Sequence, residues 1–212
     1  YRMGGAGGRK SLTAGTNLPN GAITHYFIPN YDKENDQVSL SIHSADGTLI
    51  KEFSDKSKEN LLKVKNGGNS FVWNMKYPGA KRLDNMVLWG ADFTGAKAVP
   101  GNYIVKLKVN DTEMTQEFTI HKDPTSEGSI DDIKAQFEFV NEINGVVDKA
   151  HKAIENIRSM KTNLKKFQSN YADNEFAKDL IEESKSIVES IDKIENELYQ
   201  TKNQSNQDPL NY

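Results

Sequence analysis

The sequence predicts an antiparallel β-sandwich of the immunoglobulin or fibronectin kind, followed by a long antiparallel α-helical hairpin or part of a helical bundle. Three observations predict it. From about residue 21 to 121 apolar side chains recur at every second position. Beyond His121-Lys122-Asp123-Pro124 they recur at every third or fourth. Neither stretch carries a cluster of reactive side chains.

Residues 1–20 read as a Gly-rich linker. Gly4, Gly5, Gly7 and Gly8 are nearly adjacent, and such a stretch gains little by ordering. A phosphate-cradling loop would need a preceding strand, a Lys-Ser/Thr pair at fixed spacing and a following helix. Lys10-Ser11 does not meet that spacing.

Residues 21–124 form the predicted sandwich. Ile23 to Ile28 opens it, and Val38, Leu40 and Ile42 alternate with Ser39, Ser41 and His43. Asp46-Gly47 is a hairpin turn signal, from which Thr48 to Phe53 returns. Phe71, Trp73 and Met75 share a face, as do Tyr103, Val105, Leu107 and Val109. Asn110-Asp111 turns the chain toward Met114, Phe118 and Ile120. About six short strands result. Their outward polar residues mark antiparallel sheets with one wet face each. Residues 76–99 break the period. A connection of that length without periodicity is unusual in a compact domain and is the one place where the sandwich could build a binding surface.

Residues 125–203 are the predicted hairpin. Ser129 is an N-cap with Asp132 three residues on, and Asp131 and Asp132 suit the positive end of the helix dipole. Ile133, Phe137, Val140, Val147, Ala150, Ile154, Ile157, Leu164 and Phe167 then mark one face of a helix about 55 Å long at ~1.5 Å per residue. A break over residues 169–173 precedes a second stripe, Phe176, Leu180, Ile187, Ile191, Ile194 and Leu198. A short break between long amphipathic helices makes them antiparallel neighbours. Both stripes are narrow, so a third helix, a partner surface or a second copy is expected to cover them. Residues 204–212 are a tail whose Asp208-Pro209 is a turn toward a further element.

Bulk properties exclude several classes. The chain has 212 residues, of which 36% are hydrophobic and 27% charged, enough for one large or two small domains with thin cores. A net charge of −3 and no basic stripe argue against a nucleic-acid partner. No apolar run reaches the ~18 residues of a membrane span. The absence of cysteine removes disulfides, thiolate metal sites and cysteine nucleophiles. The start at Tyr1-Arg2-Met3 reads as a piece of a longer protein.

Gly68-Asn69-Ser70-Phe71-Val72-Trp73-Asn74, followed by Val99-Pro100-Gly101-Asn102-Tyr103, resembles the immunoglobulin-like domain of flagellar hook-capping and other secreted bacterial proteins. Trp73 would fill the centre of such a sandwich. A longer series resembles the C-terminal region of bacterial secreted propeller proteins, the BNR-repeat or sortilin-like group described as glycosyl hydrolases. It comprises Tyr77-Pro78-Gly79-Ala80, Val87-Leu88-Trp89-Gly90, Gly95 to Tyr103 and Lys122-Asp123-Pro124. The resemblance implies an upstream β-propeller ending near Tyr1-Arg2, a secreted, periplasmic or cell-surface location, and a third helix after Asp208-Pro209-Leu210-Asn211-Tyr212. The propeller, where glycosidase chemistry would sit, lies outside this chain. No catalytic residue carries over, and a hydrolase label taken from a fold is analogy.

The candidate constellations are modest. Glycosidase chemistry needs two carboxylates across a cleft. Glu182, Glu183, Glu189, Glu195 and Glu197 instead read as a hydrated helix surface. Asp32-Lys33-Glu34-Asn35-Asp36 alternates like the start of a calcium loop, but Gln37 and His43 stand where glycine and an acid are needed, and a polar turn is the plainer reading. His25, His43, His121 and His151 are scattered, with no metal-ligand spacing. Tyr77, Trp89 and Phe93 are the candidate ligand-binding residues, as a sugar-stacking platform. The competing reading is that their connection folds back and packs. No catalytic residue, cofactor or metal ligand is assigned. The expected function is a non-catalytic spacer with a docking or oligomerisation role, its partners the upstream propeller or a second copy joined through the helices. The alternative is a carbohydrate-binding module using the Trp89 loop.

Overall fold

Each run of alternating apolar residues is a strand in the computed structural model, which describes residues 18–87 and 93–205. The described strands are β1 (Ala22–Ile28), β2 (Val38–Ser44), β3 (Leu49–Ser54), β4 (Gly67–Trp73), β5 (Gly101–Val109) and β6 (Thr112–Ile120). They form two antiparallel sheets, one of β1 with β4 and one in the order β3-β2-β5-β6. In the smaller sheet Ala22 pairs with Trp73 and Ile28 with Gly67. Two helices follow, α1 (Ile130–Asn170) and α2 (Lys178–Leu198), joined through a 3-10 turn at Glu175–Ala177. The β-rich part is therefore sandwich-like in composition. Residues 1–17 of the Gly-rich linker, Trp89 and the segment from Asn206 onward lie outside the described residues.

The turns follow from their residues. Gly47 has φ +86°, a left-handed conformation that costs glycine little. Asp46 Oδ1 braces that turn by accepting from the Thr48 N–H at 3.0 Å and the Ser44 hydroxyl at 2.5 Å. Asn110, at φ 54°, turns β5 into β6, as asparagine does more readily than bulkier residues.

The chain divides into two compact units. The first takes the described residues up to Ser41, with Glu52–Met75 and Val105–Gln116. Its core is built on Val38, Leu40, Leu62 and Trp73, all nearly inaccessible to solvent. Asp55 anchors the start of β2. It accepts from the Val38 N–H at 3.0 Å and the Tyr31 hydroxyl at 2.9 Å, and lies 3.3 Å from the Lys56 ammonium. Burial opposes the Asp55 charge, but these partners outweigh it and hold the carboxyl below its ordinary range. Burial and the Asp55 carboxylate together push the Tyr31 phenol up to about 12.

The second unit takes Ile42–Lys51, Lys76–Ile104 and the described residues from Glu117 onward. The capping box forms as expected: Ser129 Oγ accepts from the Asp132 N–H at 3.1 Å, and Asp132 Oδ2 accepts from the Ser129 N–H at 2.9 Å. All nine positions of the first predicted stripe, from Ile133 to Phe167, are buried or half-buried on α1.

On α2 the outcome differs. Phe176, Leu180, Ile187, Ile194 and Leu198 are exposed, at 98%, 55%, 39%, 49% and 45%. Of that stripe only Ile191 is half-buried. The covered line is instead Ala177, Ile181, Ser184, Val188, Ile191 and Glu195. Most of it is the apolar stripe displaced by one residue, about 100° around a helix of ~3.6 residues per turn. Polar pairs with α1 explain the rotation. Glu195, 4% exposed, accepts from Arg158 Nε at 2.7 Å and Lys161 Nζ at 2.9 Å. Ser184 Oγ accepts from Gln168 Nε2 at 2.9 Å. The Arg158 guanidinium also sits 5.2 Å from the Tyr199 ring centroid. Numbers falling along α1 meet numbers rising along α2.

Burial alone would raise the Glu195 pKa, but Lys161 and Arg158 more than offset it and hold the carboxyl below its ordinary 4.5. A depressed folded-state pKa stabilises the fold above pH 4.5, and that contribution is lost as pH falls through the lowered value. Glu195→Gln is expected to cost about 1–3 kcal/mol in urea melts at neutral pH. The difference from the parent should shrink steadily below pH 4.5. A pH-independent difference would contradict the pairing.

Candidate functional site

The connection between β4 and β5, residues 76–99, carries the candidate ligand-binding residues. It is a closed loop. Lys76 and Lys97 form an antiparallel bridge, and the Tyr77 N–H donates to the Ala96 carbonyl at 2.9 Å. Just inside that closure the two arms touch backbone to backbone at Gly79 and Gly95. A Cβ on Gly79 would overlap the Phe93 carbonyl oxygen, and one on Gly95 would overlap the Tyr77 and Pro78 carbonyl oxygens. Only a residue without a side chain fits either place. Ala80, Leu83, Ala96 and Ala98 are buried behind the closure.

The loop is seated on α1. The Tyr77 ring meets Phe137 edge-on, with centroids 4.7 Å apart. The Tyr77 and Tyr103 hydroxyls share a hydrogen bond, and Tyr103 Oη donates to the Val99 carbonyl at 2.7 Å. Burial raises the pKa of both phenols, so neither is a poised acid or base near neutrality. Lys81 makes three contacts with α1. Its N–H donates to Asp148 Oδ1 at 2.6 Å, its ammonium pairs with Glu155 at 2.8 Å, and its carbonyl accepts from His151 Nδ1. A carbonyl cannot donate, so that bond places the proton on Nδ1. Phe93 lies 5.8 Å from the buried His151 ring and 5.5 Å from the Arg82 guanidinium.

Tyr77 and Phe93 are thus each engaged, at separate places on the helix. Their partners Phe137 and His151 are fourteen residues apart, about 21 Å along α1 at ~1.5 Å per residue. Trp89 lies outside the described residues. Sequence reasoning missed His151 and Lys81. The available signal was that His151 falls on the inner line of α1, between Val147 and Ile154, where a polar residue needs a partner.

The remaining candidates have plain geometries. Asp32 accepts from the Glu34 N–H at 2.9 Å and from Asn35 Nδ2 at 2.7 Å. Asp36 accepts from the Asp32 N–H at 2.8 Å and from Asn110 Nδ2 at 2.9 Å. Those donors hold both carboxyls below their usual range. His25 and His121 are exposed, and His43 Nδ1 lies 3.0 Å from the Gly47 carbonyl. Among the described residues no three His, Asp or Glu side chains come together to hold a metal. An open groove of about 800 Å³ runs along the β1–β4 sheet, lined in part by His25, Phe27, Lys63, Lys65 and Asn69. Phe27 is exposed there, and among the described residues no carboxylate lines the groove.

The loop closure gives a direct expectation. Gly95→Ala forces backbone against backbone, which cannot relax by a rotamer change. It should cost about 1–3 kcal/mol, as overpacking does. Gly128→Ala, whose nearest neighbours are 4.0 Å from the added carbon, should change little. Thermal unfolding of the two variants compares them, and equal melting points would refute the closure.

No protein-family model matches this chain, and no curated protein and no solved structure resembles it significantly. Among the described residues no helix is long and apolar enough to cross a membrane.

Proposed function

We propose that this chain is a non-catalytic spacer and docking region, the C-terminal part of a secreted, periplasmic or cell-surface propeller-type protein. On this reading an immunoglobulin-like sandwich is followed by an antiparallel helical hairpin that packs against a partner. The observation that carries it is uncovered apolar surface on the helices; among the described residues no three His, Asp or Glu side chains converge. Besides α2, α1 exposes Phe139, Ile143 and Val146, at spacings of four and three that put them on one helical line. Exposed apolar stripes of this kind mark interaction surfaces. The motif order from Tyr77 to Pro124 supports the propeller as the neighbouring module. Any glycosidase chemistry would sit in the propeller, and this chain would hold it in place.

One observation favours a second reading, carbohydrate binding. The groove on β1–β4 sets the exposed Phe27 ring beside the donors of Lys63, Lys65 and His25, the pairing of aromatic face and polar groups that sugar recognition uses.

A pull-down of the isolated chain against the separately expressed upstream propeller should succeed and should weaken at least tenfold for Phe139→Ser combined with Val146→Ser. The chain alone should leave generic glycosidase, esterase and peptidase substrates unturned. Turnover by the chain alone would refute the non-catalytic reading. Failure of the propeller to bind would remove docking. On a glycan array, a signal lost in Phe27→Ala or in Trp89→Ala would replace docking with carbohydrate binding.

A further inference from the structure

One face of the β1–β4 sheet is shaped by a missing side chain. Residues directly opposite in an antiparallel pair share a face, so His25 sits with Ser70 and Phe27 with Gly68. All four are exposed. A Cβ built on Gly68 would meet nothing within 4 Å. The Phe27 ring therefore stands beside bare strand, and together they floor the groove of about 800 Å³.

Two cations edge that floor. Leu62 is buried and Val64 half-buried, so Lys63 and Lys65, alternating with them, share the exposed side. Both line the groove. Among the described residues neither ammonium meets a carboxylate. In a chain of net charge −3 this is a local reversal of sign. His25 and Ser70 add hydrogen-bonding groups beside it.

An anionic ligand answers that charge, and the rest of the groove selects its class. An added peptide strand needs unpaired backbone. Here β1 pairs with β4 at all seven positions, and the Asn69 amide takes the Lys65 N–H at 2.9 Å and the Lys65 carbonyl at 2.8 Å. Recognition therefore falls to side chains. A single-stranded nucleic acid uses successive aromatic platforms along a basic track, whereas this groove exposes one ring. A sugar fits what is present. The weakly positive C–H face of a pyranose lies on the negative face of a phenyl ring. Its hydroxyls suit His25 and Ser70, and an acidic substituent takes charge-assisted bonds from the lysines. We propose that the β1–β4 groove binds an acidic polysaccharide, its sugar ring on Phe27 and its carboxylate or sulfate on Lys63 and Lys65. The proposal rests on the carbohydrate reading of this groove and adds the charge of the ligand.

Isothermal titration of the full chain at low salt compares polygalacturonate with its methyl-esterified form, which keeps the backbone and removes the charge. Dextran sulfate against dextran repeats the comparison for sulfate. In at least one pair the charged polymer should bind at least tenfold more tightly, and added salt should erase the difference. Lys63→Gln with Lys65→Gln should weaken that binding at least tenfold. Lys165→Gln with Lys166→Gln, both exposed on α1, removes equal charge and should leave it unchanged. Gly68→Val fills the floor with a residue that strands accept, and should abolish binding without lowering the melting point. Equal binding of both forms in each pair, lost in Phe27→Ala, overturns the acid preference alone and leaves a neutral-sugar site. No binding of any of the four polymers overturns the carbohydrate reading with it. Polyglutamate or a single-stranded oligonucleotide bound as tightly through the same lysines would make this a site for any polyanion and overturn the proposal. So would polysaccharide binding that neither Gly68→Val nor the Lys63 and Lys65 pair disturbs.

Discussion

The contact between Glu195 and the cations of α1 fixes how the second helix is turned, and most of what is distinctive here depends on that angle. A carboxylate with so little solvent access must be met by opposite charge, and Arg158 and Lys161 meet it. About three turns earlier on the same line at ~3.6 residues per turn, Ser184 is small and polar and takes the Gln168 amide. Between them Val188 and Ile191 supply the apolar contact. Leu180, Ile187 and Ile194 are larger and greasier, yet face outward. A helix that turned those three toward α1 would bury more hydrocarbon but would break the ion pairs. The observed rotation therefore spends α2's strongest apolar surface on the outside.

A second constraint works at the other end of α1. The 76–99 connection could not lie flat against a helix as a loose loop, because its backbone polar groups would lack partners. It solves this by closing on itself at Lys76–Lys97, with Gly79 and Gly95 allowing the arms to touch, and then offering the Lys81 N–H and carbonyl to Asp148 and His151. Tyr77 packs on Phe137 and Phe93 on His151 as apolar filling of that seat. Within this unit burial raises the pKa values of Tyr77 and Tyr103, and the Nδ1 proton of His151 is held by the Lys81 carbonyl.

Much of the fold was legible because strands and amphipathic helices differ in period. Val38, Leu40 and Ile42 announce β2 by alternation alone, and Ser129 with Asp132 announces the start of α1. The face of α2 was not legible. Hydrophobicity pointed to Leu180, Ile187 and Ile194, and the deciding residue, Glu195, looked like one more surface acid until its partners thirty-four and thirty-seven positions earlier came beside it. The seat of the connection was hidden for a related reason. Glycines at 79 and 95 look like ordinary loop punctuation until the arms are brought together, and Lys81 contributes mainly through its backbone, which leaves no mark on side-chain pattern.

The rotation of α2 is tested most directly by a double-mutant cycle between Glu195 and Lys161, measured by urea unfolding of the Glu195→Gln and Lys161→Met chains and of the chain carrying both. The account predicts a favourable coupling energy of about 1–3 kcal/mol, since each group loses its main partner when the other is removed. A coupling indistinguishable from zero would mean that the two side chains do not meet, that α2 is turned otherwise, and that the Ile187 face is not the one presented outward.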